Sequence, residues 1–96
     1  MFFSFKEYGL LGFRKSTRKG KQYDAILYNK KNNKKVVFVP FGSTTNSNFR
    51  DITGLNLYPH LINNDPKKRK AFRARMSTFL KKGFYSPAFF SLKFLW

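Results

Sequence analysis

A chain of 96 residues has room for one small domain, since a single hydrophobic core organises roughly 100 to 150 residues. Twenty Lys and Arg against four Asp and Glu give a formal charge of +16, which repels itself in any compact state and requires an acidic partner to offset it. With no Cys, one His and only the scattered acids Glu7, Asp24, Asp51 and Asp65, thiol chemistry, disulfides and cysteine-based metal sites are excluded, and no enzyme activity, cofactor, metal or small-molecule substrate is expected.

The hydrophobic content of 42% and aromatic content of 20% argue against a disordered basic tail and for a chain that folds. Residues 1–13 carry Lys6 and Glu7 and no continuous apolar run, so a secretory signal is not expected. No window reaches the roughly 20 apolar residues of a membrane-spanning helix. Residues 1–21 read as an extended N-terminal arm, aromatic and glycine-punctuated at first and then basic over RKSTRKGK. Within it Arg14, Lys15, Arg18, Lys19 and Lys21 are candidate polyanion contacts, because clustered cations release counterions from phosphates.

Residues 22–96 read as a small α+β domain. QYDAILY alternates, with Tyr23, Ala25 and Leu27 on one face and Asp24, Ile26 and Tyr28 on the other, and VVFVPFG resumes the pattern after a turn of Asn and Lys. The expectation is a β-hairpin over 22–42 with Lys30, Lys31, Lys34 and Lys35 at its tip. Pro40 removes a ladder donor, which places it at a strand end or a sheet edge. Residues 43–64, rich in Ser, Thr, Asn and Gly, read as a loop packed on the core.

Asp65-Pro66 predicts the start of a helix over 65–82, because the carboxylate caps the free amides of the first turn and Pro loses no hydrogen bond there. Phe72, Met76, Phe79 and Leu80 form a narrow apolar stripe, and Gly83 supplies a left-handed cap. Lys68, Arg75 and Lys82 flank the stripe on one side and Arg69 and Arg73 on the other, as candidate contacts to an acidic partner. Ser86-Pro87 repeats the capping signal and predicts a short aromatic helix to the C-terminus.

The segment 84–96 is apolar on every face. It can serve as core, as an interfacial membrane helix, or as an anchor in a partner's groove through Phe89, Phe90, Phe94 and Trp96. The anchor is the favoured expectation, because one hairpin and one narrow stripe offer too little area to cover four aromatic rings. His60 has no second ligand nearby in sequence and reads as a structural residue.

The order Tyr23-Asp24, Phe41-Gly42, Asp51, His60, Asp65, Lys67-Lys68-Arg69, Arg75, Gly83, Ser86-Pro87-Ala88 and Leu95-Trp96 resembles a family of short basic proteins of unknown function encoded by large nucleocytoplasmic DNA viruses of algae and amoebae. The likeness covers residues 22–96. This chain has a longer Ser/Asn-rich stretch after Phe41-Gly42, and Met76 stands where the family pattern has a His. The resemblance implies a viral origin and a structural virion component, a minor capsid or cement protein. Such a protein would be made inside the host cell and bridge acidic surfaces of other capsid proteins, with peripheral membrane contact as a further option. The competing expectation is a genome-associated protein that binds nucleic acid without sequence preference.

Overall fold

A computed structural model describes residues 3–32, 35–78 and 83–96. It shows an α+β fold with a three-stranded antiparallel sheet, a second two-stranded sheet and a C-terminal helical segment packed across the larger sheet. The larger sheet consists of β2 (Tyr8–Lys15), β3 (Lys21–Asn29) and β4 (Val36–Ser43), with β3 in the middle. The expected hairpin is present as β3 and β4, with Tyr23 opposite Phe41 and Ala25 opposite Val39. Its alternation holds: Tyr23, Ala25 and Leu27 are fully buried on one face. Pro40 lies in β4, an edge strand, where a missing ladder donor is tolerated. Of the hairpin-tip lysines, Lys34 lies outside the described residues.

The extended N-terminal arm is corrected. Tyr8–Lys15 forms the other edge strand of the sheet, and β1 (Phe3–Ser4) pairs with β5 (Phe84–Tyr85) near the other end of the chain, Phe3 opposite Tyr85. Among the described residues, the segments near both ends of the chain thus pair with each other. Two glycines obscured this strand in the sequence, and one of them leaves room for a partner: a Cβ on Gly9 would lie 2.5 Å from the Tyr28 ring, which packs across the strand at that point and would have to shift. Leu11 sits at a register irregularity between Leu10 and Gly12, the arrangement that bends and blunts a sheet edge.

Helix α1 spans Pro66–Met76. Asp65 accepts hydrogen bonds from the amides of Lys67 (2.9 Å) and Lys68 (3.4 Å), the expected cap. The expected continuation to 82, with Phe79, Leu80 and Lys82, falls in 79–82, outside the described residues. Gly83 has φ +74°. No residue of α1 is buried. Its attachment comes from Phe72, stacked on Trp96 at 4.5 Å and 11° between planes, and from two arginines described below.

The second helix begins where expected. Ser86 accepts a hydrogen bond from the Phe89 amide (3.1 Å), Pro87 opens α2 (Pro87–Phe90), and the chain continues as π-helical Ser91–Leu95. The last carbonyls of a helix have no partner within it; here the amides of Phe49 and Arg50 both donate to Leu95 O, and Ile52 N to Phe94 O, each at 3.0 Å. Loop 43–64 thus closes the end of the C-terminal segment, and its one helical turn is the 3₁₀ turn Pro59–Leu61.

The anchor expectation for 84–96 is also corrected. Phe89 is 6% exposed, Phe90, Leu92 and Leu95 are fully buried, and Phe94 and Trp96 are partly buried against the same cluster. Tyr23, Ala25, Leu27, Val39 and Phe41 supply the facing surface from the sheet. More than a hairpin and one helical stripe covers this segment. The unforeseen strand β2 brings Leu10 and Phe13, and the N-terminal residues bring Phe3 and Phe5, to the same core. Each large side chain buried in this way contributes on the order of 1.5 to 3 kcal/mol.

Candidate polyanion interface

Three of the four acids are engaged inside the fold. Asp24, buried in the middle strand, accepts from Arg14 Nε (3.0 Å) and Ser16 Oγ (2.7 Å). Asp51 accepts from the Tyr23 hydroxyl and from Thr53 Oγ1 (2.6 Å) and N (2.9 Å). Asp65 caps α1. Among the described residues Arg14–Asp24 is the one ion pair. An unopposed cationic surface remains.

Arg14 belongs to the fold rather than to a free basic patch, since its guanidinium also lies 3.6 Å from the centre of the Phe38 ring. Lys15, Arg18 and Lys19 are exposed at the end of β2 and in the turn that follows, and Lys21 opens β3. On α1, Lys67, Lys68, Lys70 and Arg75 are exposed. Arg69 and Arg73 each make one hydrogen bond within their own chain. Arg69 Nε donates to Trp96 O (2.8 Å) with its guanidinium 4.7 Å from the Phe49 ring, and Arg73 Nη1 donates to Leu92 O (3.5 Å). They hold α1 to the C-terminal segment, which accounts for the attachment of a helix that buries no residue.

Two clefts flank the C-terminal segment. The first, about 750 Å³, runs between α1, the end of β4 and α2. Lys21 lines it together with Lys68 and Arg75, over a floor that includes Phe72, Leu95 and Trp96, and no acidic residue is among its described lining. Residues 47 and 54 positions apart in sequence are brought to one site by β3 and α1, so Lys21 of the turn cluster and two flank residues of the helix do share a surface. The second cleft, about 520 Å³, holds Arg50, Arg73 and Lys93 against an aromatic wall. Arg50 and Lys93 escaped the sequence reading because each is a lone cation in a stretch read as loop or apolar helix. For Lys93 that isolation was the available signal, since a single charge kept in an otherwise apolar run needs a reason, whereas Arg50 stands in a polar loop beside Asp51 and offered none.

Burial raises the Tyr23 hydroxyl from the usual phenol value of 10.0 to about 12, helped by the hydrogen bond it donates to Asp51. Burial also raises Tyr85, with Tyr28 adding to the effect. Tyr23 ties β3 to loop 43–64 by donating to Asp51 and accepting from Leu57 N (2.9 Å). His60 is exposed on the 3₁₀ turn beside Tyr58, and no group of three potential metal ligands occurs among the described residues. No helix of the described residues is long and apolar enough to cross a membrane.

No protein-family model, curated protein or solved structure matches the chain.

Proposed function

We propose that this protein is a non-catalytic polyanion-binding module that holds nucleic acid through phosphate contacts without reading sequence. The observation that carries this reading is the first cleft, where Lys21, Lys68 and Arg75 converge without an acidic neighbour in the described lining. Exposed Lys15, Arg18 and Lys19 extend the same charge along the sheet end, and Lys67 and Lys70 along α1. Nucleic acid offers a regular row of phosphates to such a surface, and each neutralised phosphate releases counterions. Three of the four acids are spent on a core ion pair, a loop anchor and a helix cap, which leaves no pair of carboxylates for acid–base work.

Trp96, the one tryptophan of the chain, lines this cleft and reports on it. Titration with a short DNA duplex of mixed sequence should change its emission saturably, with equal midpoints for unrelated sequences. A clear preference for one sequence, or no response with either duplex or single strand at low salt, contradicts the reading.

A second reading, the minor capsid or cement protein of a large DNA virus, has one structural feature in its favour. On the outer face of the larger sheet Val36 and Phe38 of β4 are 43% and 38% exposed, and Leu11 on the opposite edge strand is 61% exposed, apolar positions suited to a neighbouring subunit. The aromatic C-terminal segment no longer supports that reading, because it is core.

A further inference from the structure

The second cleft joins two features that the first lacks. Its three cations, Arg50, Arg73 and Lys93, come from the loop, α1 and the C-terminal segment, so that charges from three separate elements meet around a cavity of about 520 Å³ with no acidic residue in its described lining. Arg50 also carries a buried Nε–H that has no acceptor among the described residues, although its Nη2 donates to Lys93 O at 3.2 Å. A buried donor without an acceptor is costly; that atom is shielded from the cleft, so a ligand there meets the Arg50 guanidinium through its exposed Nη groups. Tyr85, Phe89 and Phe94 also line the cleft; Phe89 is nearly buried with Lys93 Nζ 5.6 Å from its ring, and Tyr85 and Phe94 are partly exposed. The volume falls in the range of small-molecule sites, about 300 to 1,000 Å³, and is too small for a duplex.

The geometry points to a site for a single nucleotide unit, its phosphate received by Arg50, Arg73 and Lys93 and its base laid against Tyr85 and Phe94, the lining rings that remain partly exposed. Arginine suits the planar, multiply accepting phosphate, and base–aromatic contact is tolerant of base identity. An acidic peptide would satisfy the cations but leave the aromatic wall without a flat partner. This inference rests on the nucleic-acid reading and narrows it: the first cleft tracks a backbone, and the second receives one nucleotide, either free or unpaired at the end of a strand.

Calorimetric titration of the full chain with adenosine 5′-monophosphate, inorganic phosphate, adenosine and hexaglutamate at matched ionic strength tests it. The monophosphate should bind one to one, at least roughly tenfold tighter than any of the other three. Lys93→Gln, at an exposed position, and Arg50→Gln should each weaken it by roughly tenfold, the worth of one charged hydrogen bond. Duplex DNA affinity and melting temperature should stay close to those of the parent in Lys93→Gln. A short single strand that binds more tightly than the monophosphate and is displaced by it identifies a strand as the source; equal affinity identifies the free nucleotide. Phosphate or hexaglutamate binding as tightly as the monophosphate overturns the inference, as does monophosphate binding that Lys93→Gln leaves unchanged. If the monophosphate fails while duplex DNA still binds, the second cleft is rejected and the polyanion reading stands; if both fail, both are rejected.

Discussion

The side-chain amides of Gln22 and Asn48 face each other across the buried end of β3 and exchange two hydrogen bonds, Asn48 Nδ2 to Gln22 Oε1 at 2.8 Å and Gln22 Nε2 to Asn48 Oδ1 at 3.2 Å. Gln22 Nε2 also donates to Ser43 O at 2.7 Å. The pair joins the first residues of the middle strand to loop 43–64, and thereby sets the loop that closes the C-terminal segment. Asn48→Ala leaves the Gln22 amide short of partners in the core and should cost about 1 to 3 kcal/mol in denaturant unfolding. Gln22→Met with Asn48→Leu removes both polar partners, so the double variant should lose less than the sum of the single losses. Additive losses would mean that the two amides do not act as a pair.

Tyr23 gives the fold a defined alkaline limit. Its hydroxyl is held neutral by burial and by Asp51, with the folded value raised from 10.0 to about 12. A raised value means that the contribution is fully present below pH 10, where the phenol is neutral in both states, and is lost as pH rises through about 12. Stability followed by circular dichroism should be insensitive to this group up to pH 10 and then decline. Tyr23→Phe should abolish that part of the decline and lower stability at neutral pH by about 1 to 3 kcal/mol, since Leu57 N loses its acceptor.

Deleting residues 84–96 should unfold the isolated protein rather than release a folded unit that cannot dock. Phe90 alone contacts Phe41 (5.4 Å between ring centres), Phe89 (5.2 Å) and Tyr85 (5.5 Å), and it is fully buried. Phe90→Ala should therefore cost about 3 to 5 kcal/mol. A truncated chain with an unchanged melting transition would restore the anchor.

Gly42 tests how tightly that segment sits on the sheet. Its φ is +75°, and a Cβ there would lie 3.0 Å from Leu95 Cδ1 and 3.2 Å from Gln22 Cβ. Backbone strain and crowding add, so Gly42→Ala should be destabilising by about 1 to 3 kcal/mol. Gly12→Ala, with open space at its Cβ, should cost much less.

What the sequence made legible follows a physical pattern. The β3–β4 hairpin, the Asp65-Pro66 cap and the Ser86-Pro87 cap were readable because alternation and capping are local signals. Strand β2 was not, because Gly9 and Gly12 lower strand preference and an irregular register at Leu11 breaks the alternation; only the partner ring of Tyr28 explains Gly9. That one omission removed enough covering surface to turn the C-terminal core into an apparent anchor. The charge clusters were legible as composition, but not their division of labour. Arg14, Arg69 and Arg73 bond within the chain, whereas Lys21, Lys68 and Arg75 share a cleft, a distinction made by tertiary geometry alone.

The most direct test of the polyanion account is the salt dependence of duplex DNA binding by the parent chain and by the triple variant Lys21→Gln, Lys68→Gln, Arg75→Gln. For the parent, the logarithm of the association constant should fall linearly with the logarithm of salt concentration, by about 0.9 per phosphate contacted. The triple variant should show a slope shallower by about 2 to 3, with unchanged melting temperature. A parent slope near zero, or a slope that the three substitutions leave unaltered, would contradict the account.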